Sequence, residues 1–498
     1  MKFKLLFLAP FLTIFICCKA QDNTTVKNTK EVFVQEQNEF GKPIWNYLGN
    51  NFTTLHRLEQ ATFTKKIDSL RAIYLMHLKG YKNKLQKDTY EDELLGINAA
   101  FDKYLLEYPQ HHTYLTEEST ELSKENQERL NEYNKKFNNP TLLSNRDFVA
   151  YLKSLINVKS RNRLDKGEYN GKDNQQLLAD WDVINAMFSD QEVNCYWKQE
   201  YLFNHINNYG IKNIDSVYND FLSSCQSKVD LSKVKSIYAD HKNGRASHLI
   251  KVYKEVDSYE LEMHLFLPDT NQFKGNRPAI VYFHGGSWSE GKPDWFFSTG
   301  EAYAKEGWVA AAVEYRIKGR HGNYPFESVK DAKSAIRWLR NNAEQYNIDP
   351  NKIVATGNSA GGHLAIATTL VEGWNEVSDN ININPSPNVV IANSAVYDLT
   401  VENSKWIVEN KDDKEVVKEI SPNSLISKTP TKYLLIHGEN DRRCTYESAE
   451  YFYDKMNALE NDVQLHKIEG ANHFIWFGRH AGQVYNITAN YIKGLDFE

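Results

Sequence analysis

The stretch Gly357-Asn358-Ser359-Ala360-Gly361 places a serine between glycines, after an apolar run and before a helical pattern. A sharp turn of this kind can expose the serine hydroxyl for nucleophilic attack, and the glycines relieve crowding where the backbone bends. The same residues can also form a plain tight turn between a strand and a helix. Ser359 is therefore a candidate nucleophile, and the question is whether the chain supplies chemical partners for it.

A serine hydroxyl is a weak nucleophile, so it needs a base to take its proton and an acid to orient that base. Asp441 follows the apolar stretch LLIHGEN, and His473 follows the next strand-like stretch, VQLHKIEG. Nearby competitors fit less well, because Glu439 lies earlier in the strand-exit turn, Asp462 precedes a strand and His466 lies within one. The order serine, aspartate, histidine predicts a catalytic triad.

Attack by a serine on a carbonyl group creates an oxyanion, which requires preorganised N–H donors. Ala360 directly follows the candidate nucleophile at a predicted helix N-terminus and supplies one donor. The stretch VYFHGGSW follows an earlier apolar strand, and its Gly285 and Gly286 allow the backbone to approach the oxygen closely, with His284 bracing the loop. A packed glycine turn without chemistry is the alternative interpretation of this loop.

The bulk properties narrow the class of protein. The chain has 498 residues, 41% of them hydrophobic and 25% charged, which is typical of a globular protein with two domains. A net charge of -6 at pH 7 argues against nucleic acid as the main partner. No set of residues indicates a metal or an organic cofactor.

The first twenty residues have the pattern of an export signal. Lys2 and Lys4 precede an apolar run that is too short to span a bilayer, and small residues would allow cleavage after Ala20. Lipidation at Cys17 or Cys18 is the alternative, and only then would the protein be held at a membrane. We therefore expect a periplasmic or extracellular protein with a signal peptide over 1–20 and a linker over 21–40.

Two regions of different pattern follow. Residues 41–232 show apolar side chains at three- and four-residue spacing, as at Ile67, Leu70, Tyr74 and Leu78, which predicts an all-α domain. Residues 235–498 alternate apolar strands with helices, which predicts a mostly parallel sheet covered by helices on both faces.

Several motifs in this second region occur in the order found in a known family. The stretches YFHGGSW, VEYRI, KIVATGNSAGGHLA, IHGEND and GANHF resemble the α/β-hydrolase superfamily. Within it, they are similar to hormone-sensitive-lipase-like carboxylesterases, a branch that includes bacterial acetyl and feruloyl esterases acting on plant polysaccharides. The resemblance implies an α/β-hydrolase fold over 235–498 and no cofactor. It also implies a nucleophile, an acid, a base and three oxyanion donors, which are Ser359, Asp441, His473, and Gly285, Gly286 and Ala360.

Other residues near these motifs allow either a functional or a structural interpretation. Trp288 and Trp476 flank the oxyanion loop and the base, where they can wall a substrate pocket or fill the core. Arg442 and Arg443 can meet an acidic substrate or remain solvated charges. Tyr315 and Arg316, at the end of a strand, are expected to brace the structure.

The leading hypothesis is an exported serine carboxylesterase that acts on small-molecule or polysaccharide-linked esters. A serine exopeptidase or amidase of the same fold, and a non-catalytic binding protein of the cell envelope, are the alternatives. The helical region carries no catalytic set of its own. We expect it to form a separate domain that restricts access to the active site or docks an envelope partner.

Overall fold

The computed structural model describes residues 24–400, 407–408, 415–495 and 497, so the predicted signal peptide lies outside the described residues. The chain divides into two compact units. One contains the residues up to 166 together with 180–198, and the other contains 167–179 and 199–498. Within the described ranges, none of the helices combines the length and apolar character needed to cross a bilayer.

The first unit is helical, as the spacing of its apolar residues predicts. In α3 (Gln60–Gly80), the buried side chains include Ile67, Tyr74 and Leu78. They share a core with residues of α1 (Thr24–Asn50) and α4 (Lys87–Thr116). The other helices are α2 (Phe52–His56), α5 (Lys124–Asn131) and α6 (Arg146–Asp165), with 3-10 turns at Glu132–Lys136 and Pro140–Ser144, while α7 (Gln175–Met187) and α8 (Gln191–Tyr209) each contain residues of both units.

Residues 24–40 are helical, whereas a linker was expected over 21–40. Helix α1 begins at Thr24, and Phe33 is fully buried, with its ring centroid 5.3 Å from that of His77 and 5.1 Å from that of Tyr81. Phe33 and the partly buried Phe40, seven residues apart, lie on one helical face and pack against the core of this unit, whereas Val32 and Val34 are exposed. Two core-facing residues so far apart among polar and exposed ones give only a weak helical signal in the sequence.

The second unit is built on one sheet of eight strands in the order β1-β2-β4-β3-β5-β6-β7-β8. Strands β1, β2 and β4 pair antiparallel, and the remaining pairs are parallel. All eight strands lie within residues 235–498, where the sequence predicts strands alternating with helices. They are β1 (Leu249–Val256), β2 (Tyr259–Phe266), β3 (Arg277–Phe283), β4 (Val309–Val313), β5 (Ile348–Asn358), β6 (Val389–Asn393), β7 (Lys432–Gly438) and β8 (Val463–Ile468).

Helices cover both faces of this sheet, because central strands such as β4 bury every side chain and therefore need apolar cover on each side. The two resulting cores lie on opposite faces of the sheet. The expected α/β-hydrolase fold, preceded by helices, is thus confirmed. The covering and flanking helices are α9 (Asp215–Cys225), α10 (Ser232–Ala246), α11 (Phe297–Lys305), α12 (Lys318–His321), α13 (Pro325–Asn341), α14 (Ala360–Leu370), α15 (Tyr446–Ala458) and α16 (Ala481–Lys493), with 3-10 turns at Pro293–Phe296, Val416–Ile420, Pro422–Ser424 and Gly478–His480.

The division between the units differs from the boundary expected at 232–235. Residues 167–179 and 199–246 belong to the unit that contains the sheet. Buried ion pairs tie them to it: Asp173 accepts hydrogen bonds from Arg320, and the Lys212 ammonium lies 2.7 Å from the Glu314 carboxylate. Helical spacing shows that a segment packs against something, but it does not identify the partner surface.

Candidate active site

Ser359 lies at the sharp turn between β5 and α14. Its backbone is strained, with φ 54° and ψ -120°, in a region that residues other than glycine rarely occupy. The turn is tight, since a Cβ at Gly361 would lie 2.0 Å from the carbonyl oxygen of Phe283. The Ser359 amide donates to the Asn393 carbonyl at 2.9 Å, which fixes the turn against β6. This is the strand-turn-helix context that a nucleophile elbow requires.

Asp441 and His473 form a hydrogen-bonded pair. They follow β7 and β8, and Nδ1 of His473 lies 2.7 Å from Oδ2 of Asp441. Both residues are 5% exposed. Because the Asp441 carboxylate can only accept, Nδ1 of His473 carries the proton, and Nε2 is left as the basic atom.

The competing acids have other partners. Glu439 accepts a hydrogen bond from the amide of Gly470 at 2.8 Å and so braces the neighbouring turn. Asp462 is paired with Lys432 at 3.6 Å. Of these acids, Asp441 is the one that the structure pairs with His473.

The environment of Asp441 keeps it ionised. Burial alone would raise the pKa of this carboxyl, but hydrogen bonds from His437 and His473 outweigh that effect and hold the pKa well below its usual range. The amides of Arg443 and Cys444 also donate to Oδ1, at 2.9 and 3.0 Å. The acid therefore stays negatively charged at any pH at which His473 would act as a base.

His437 is a site residue that the sequence analysis missed. It is fully buried at the end of β7, and its Nε2 lies 2.8 Å from the Cys444 carbonyl oxygen and 3.3 Å from Oδ2 of Asp441. A single N–H shared between these acceptors ties the acid to its own turn. The only signal for it in the sequence was its position in IHGEND, four residues before the acid.

The predicted oxyanion donors lie beside the nucleophile. A Cβ at Gly285 would lie 3.5 Å from Cβ of Ser359, so the loop after β3 runs against the elbow. Within the described chain, the amides of Gly285, Gly286 and Ala360 donate to no other residue. Ala360 also begins α14, where unpaired amides and the helix dipole favour negative charge.

His284 braces this loop, as expected. Its ring stacks on Tyr315 with centroids 4.2 Å apart, and its Nδ1 lies 2.8 Å from the Gly285 carbonyl oxygen. The Tyr315 hydroxyl donates to the His284 carbonyl at 2.6 Å. Burial lowers the pKa of His284 to about 4, so the ring is neutral and acts as a fixed support.

Aromatic side chains surround the base. Trp476 and Phe474 approach the His473 ring edge-on, with centroids 5.6 and 5.3 Å away, and Phe474 is 44% exposed. Trp288, by contrast, is buried against His363, which favours the core reading for that residue. The rim of the site is therefore apolar on the side of the base.

Arg443 and Arg316 are placed differently. The exposed guanidinium of Arg443 lies 5.0 Å above the Phe474 ring, at the same rim. Arg316 is buried and makes paired hydrogen bonds to the Asp331 carboxylate at 2.8 and 2.9 Å. The expected bracing role of Arg316 is thus seen directly.

Cys444 brings a third potential metal-ligand atom close to the pair. Its sulfur, a carboxylate oxygen of Asp441 and a ring nitrogen of His473 lie within 4.8 Å of one another. Burial and the nearby Asp441 charge raise the pKa of this thiol well above its usual value. In the described residues, Asp441 and His473 form a hydrogen-bonded acid-base pair with this thiol beside it.

All the predicted site residues lie at one edge of the sheet. They follow the carboxyl ends of β3, β5, β7 and β8, which run parallel to one another. Within the described residues, the Ser359 hydroxyl makes no hydrogen bond to His473, a looseness that unliganded active sites commonly show. The arrangement can supply a nucleophile, a base, an oriented acid and N–H donors.

The family model described as BD-FAE matches residues 263–456. Among curated proteins, the chain is similar to the esterase LipC of Mycobacterium tuberculosis, with 26% identity over 39% of this chain and 52% of that protein. It is also similar to the carboxylesterase NlhH of the same organism, with 36% identity over 18% of this chain and 28% of that protein. The chain spans about half the length, or less, of these relatives.

A solved esterase from Thermogutta terrifontis is 32% identical, with a TM-score of 0.47, and the match covers 50% of this chain and 93% of that one. Both this structure and the curated relatives match a part of the chain rather than its whole length.

Proposed function

We propose that the protein is a serine carboxylesterase of the α/β-hydrolase superfamily, and its similarity to the BD-FAE family model and to the two mycobacterial esterases supports this proposal. The observation that carries the proposal is the 2.7 Å hydrogen bond between Asp441 and His473 at the sheet edge that also holds Ser359. A buried charged acid behind a histidine has a clear use there, because it orients the ring and stabilises the imidazolium that forms.

In this mechanism, Ser359 attacks the ester carbonyl carbon while Nε2 of His473 takes the hydroxyl proton. The tetrahedral oxyanion accepts hydrogen bonds from the amides of Gly285, Gly286 and Ala360. His473 then gives its proton to the leaving alcohol, which produces an acyl-Ser359 ester. Water, activated by the same Nε2, releases the acid and regenerates the serine.

Ser359→Ala tests this proposal. We expect hydrolysis of p-nitrophenyl acetate and butyrate to fall on the order of 10³-fold or more, because only binding and the oxyanion site remain. Ser334→Ala is a matched control, since Ser334 is a buried serine whose hydroxyl donates to the Lys330 carbonyl within α13. Near wild-type turnover by Ser359→Ala, measured as initial rates on folded protein, would contradict the proposal.

We further propose that the ester is an acetyl or feruloyl group carried by a polysaccharide. The resemblance to esterases of this type supports the proposal, as does the aromatic rim at Phe474 and Trp476, which can stack on a planar acyl group or a sugar face. Rates on acetylated xylan and on feruloylated oligosaccharides, compared with p-nitrophenyl esters, test it. Activity confined to the small esters would overturn it.

Export is the remaining part of the proposal, and the sequence of residues 1–20 supports it. Expression in a bacterial host, followed by fractionation and mass spectrometry of the mature N-terminus, is the test. A soluble product that begins at Gln21 favours cleavage after Ala20, whereas a membrane-bound product with a modified Cys17 or Cys18 favours lipidation. A cytoplasmic product with an intact N-terminus would contradict export.

A further inference from the structure

The oxyanion loop is held at its far end by residues that precede the sheet in the chain. The amide of Gly291 donates to the carbonyl of Asn208 at 3.0 Å. The next residue, Lys292, is 6% exposed, and its ammonium donates to the carbonyl of Ile206 at 2.8 Å. Both acceptors belong to the last turn of α8, so the end of the loop is fixed to a helix that the hydrolase motifs do not include.

A chain of buried polar groups supports this attachment. Nζ of Lys292 lies 3.0 Å from Nε2 of His241 in α10, and Nδ1 of His241 lies 2.5 Å from Oδ2 of Asp294. Burial alone would raise the pKa of Asp294, but the hydrogen bond from His241 holds it below its usual range, so Asp294 is a carboxylate. His241 therefore donates from Nδ1 to Asp294 and accepts from Lys292 at Nε2.

Close contacts connect this chain of polar groups to the nucleophile. Gly291 has φ 114°, and a Cβ there would lie 2.2 Å from Nδ1 of His284 and 2.6 Å from the Gly285 carbonyl oxygen. Gly285 in turn runs against Ser359. A shift of Gly291 or Lys292 would therefore move the amides of Gly285 and Gly286 relative to the nucleophile.

We propose that Lys292, His241 and Asp294 are positioning residues that aim the oxyanion donors by fixing the loop to α8 and α10. The inference rests on the proposed esterase function. N–H donors stabilise the tetrahedral oxyanion only when their positions are correct within a fraction of an ångström, whereas the planar ester in the ground state tolerates a looser fit. Loss of the attachment therefore lowers kcat and leaves KM little changed.

Lys292→Met removes the donor and keeps the length of the side chain. Active sites are counted with a fluorophosphonate that labels the nucleophile, so that kcat refers to competent enzyme alone. We expect kcat on p-nitrophenyl butyrate to fall about 10- to 100-fold per active site. The inhibition constant of a trifluoromethyl ketone, which mimics the tetrahedral intermediate, should rise by the same factor.

Lys233→Met is the matched control. Lys233 lies on α10, the helix that carries His241. It pairs with Glu200 at 3.6 Å and is not part of the chain of polar groups that contains Lys292. The full-length control should keep the wild-type kcat and inhibition constant. If Lys292→Met is insoluble, His241→Leu is measured in the same way.

Wild-type values of both constants per active site in the soluble variant would overturn the positioning role, even if the melting temperature falls. Absence of ester hydrolysis by the wild-type protein would instead defeat the proposed function, so the two failures are distinguishable.

Discussion

The turn that carries the acid and the loop that carries the oxyanion donors are stabilised in different ways. Asp441 is held by its own neighbours, the amides of Arg443 and Cys444 and the ring of His437. The loop at Gly285 depends on residues distant in sequence, which include Tyr315. The residues that hold Asp441 are close to it in sequence, whereas some of those that hold the Gly285 loop are not. A local motif can therefore identify the chemical groups of both segments but include the supporting residues of only the first.

Asp441→Asn tests the turn that carries the acid, and it has the largest expected effect on kcat. The amide can donate to His473, which would put the ring proton on Nε2 and remove the base. We expect kcat to fall roughly 10³- to 10⁴-fold with the fold intact, as checked by circular dichroism. Glu439→Gln should have little effect on kcat, and the opposite ranking of the two variants would show that the acid is Glu439.

Gly291→Ala tests the oxyanion loop, which depends on residues distant in sequence. The φ of 114° and the predicted contact with His284 leave no room for a methyl group, so the loop must move. We expect about a 10- to 100-fold loss of kcat per active site, together with destabilisation of roughly 1–3 kcal/mol or more. Gly373→Ala is a control, because a Cβ there would meet no atom within 4 Å. Equal kcat values per active site for the two variants would show that the position of this loop does not affect catalysis.

His437→Leu gives a smaller effect in the same acid turn. It removes one hydrogen bond to a charged acceptor, which corresponds to about a tenfold loss of kcat. His466→Leu, on the neighbouring strand β8, is the control, and initial rates on p-nitrophenyl butyrate are the measurement. An unchanged rate in His437→Leu would mean that the two backbone amides hold Asp441 without it.

The smallest effect concerns stability and the charge of Lys292. Burial lowers the pKa of Lys292 from 10.5 to about 8, so the folded protein releases this proton at a lower pH than the unfolded chain does. Between pH 8 and 10.5 the unfolded state binds more protons, and the stability contributed by Lys292 therefore rises with pH. Relative to Lys292→Met, the free energy of unfolding of the wild type should rise by about 1–3 kcal/mol across that window.

Urea denaturation at several pH values measures this difference. Lys233→Met should show no such trend relative to wild type, because Lys233 is far more exposed. A falling or flat difference for Lys292 would contradict a buried, polar attachment of the loop.

The sheet and most of the site residues could be predicted from the sequence, for physical reasons. Strands with buried faces require apolar residues, and Ser359, Asp441 and His473 follow three of these strands in the chain order typical of the α/β-hydrolase fold. The bracing of the oxyanion loop by His284 was predicted, but its attachment to α8 and α10 was not predictable in this way. Asn208 acts through its backbone carbonyl, which leaves no trace in the side-chain pattern, and His241 lies on a helix whose spacing does not reveal what it packs against.

The central claim is that Ser359 forms a covalent acyl intermediate. Rapid acid quenching of the wild-type protein after mixing with p-nitrophenyl acetate, followed by peptide mass spectrometry, tests it directly. We predict one acetyl group on Ser359 in the wild type, and none at that position in Ser359→Ala. Ester hydrolysis with the acetyl group on another residue, or without any covalent acyl protein under conditions that trap one in a known serine esterase, would contradict the account.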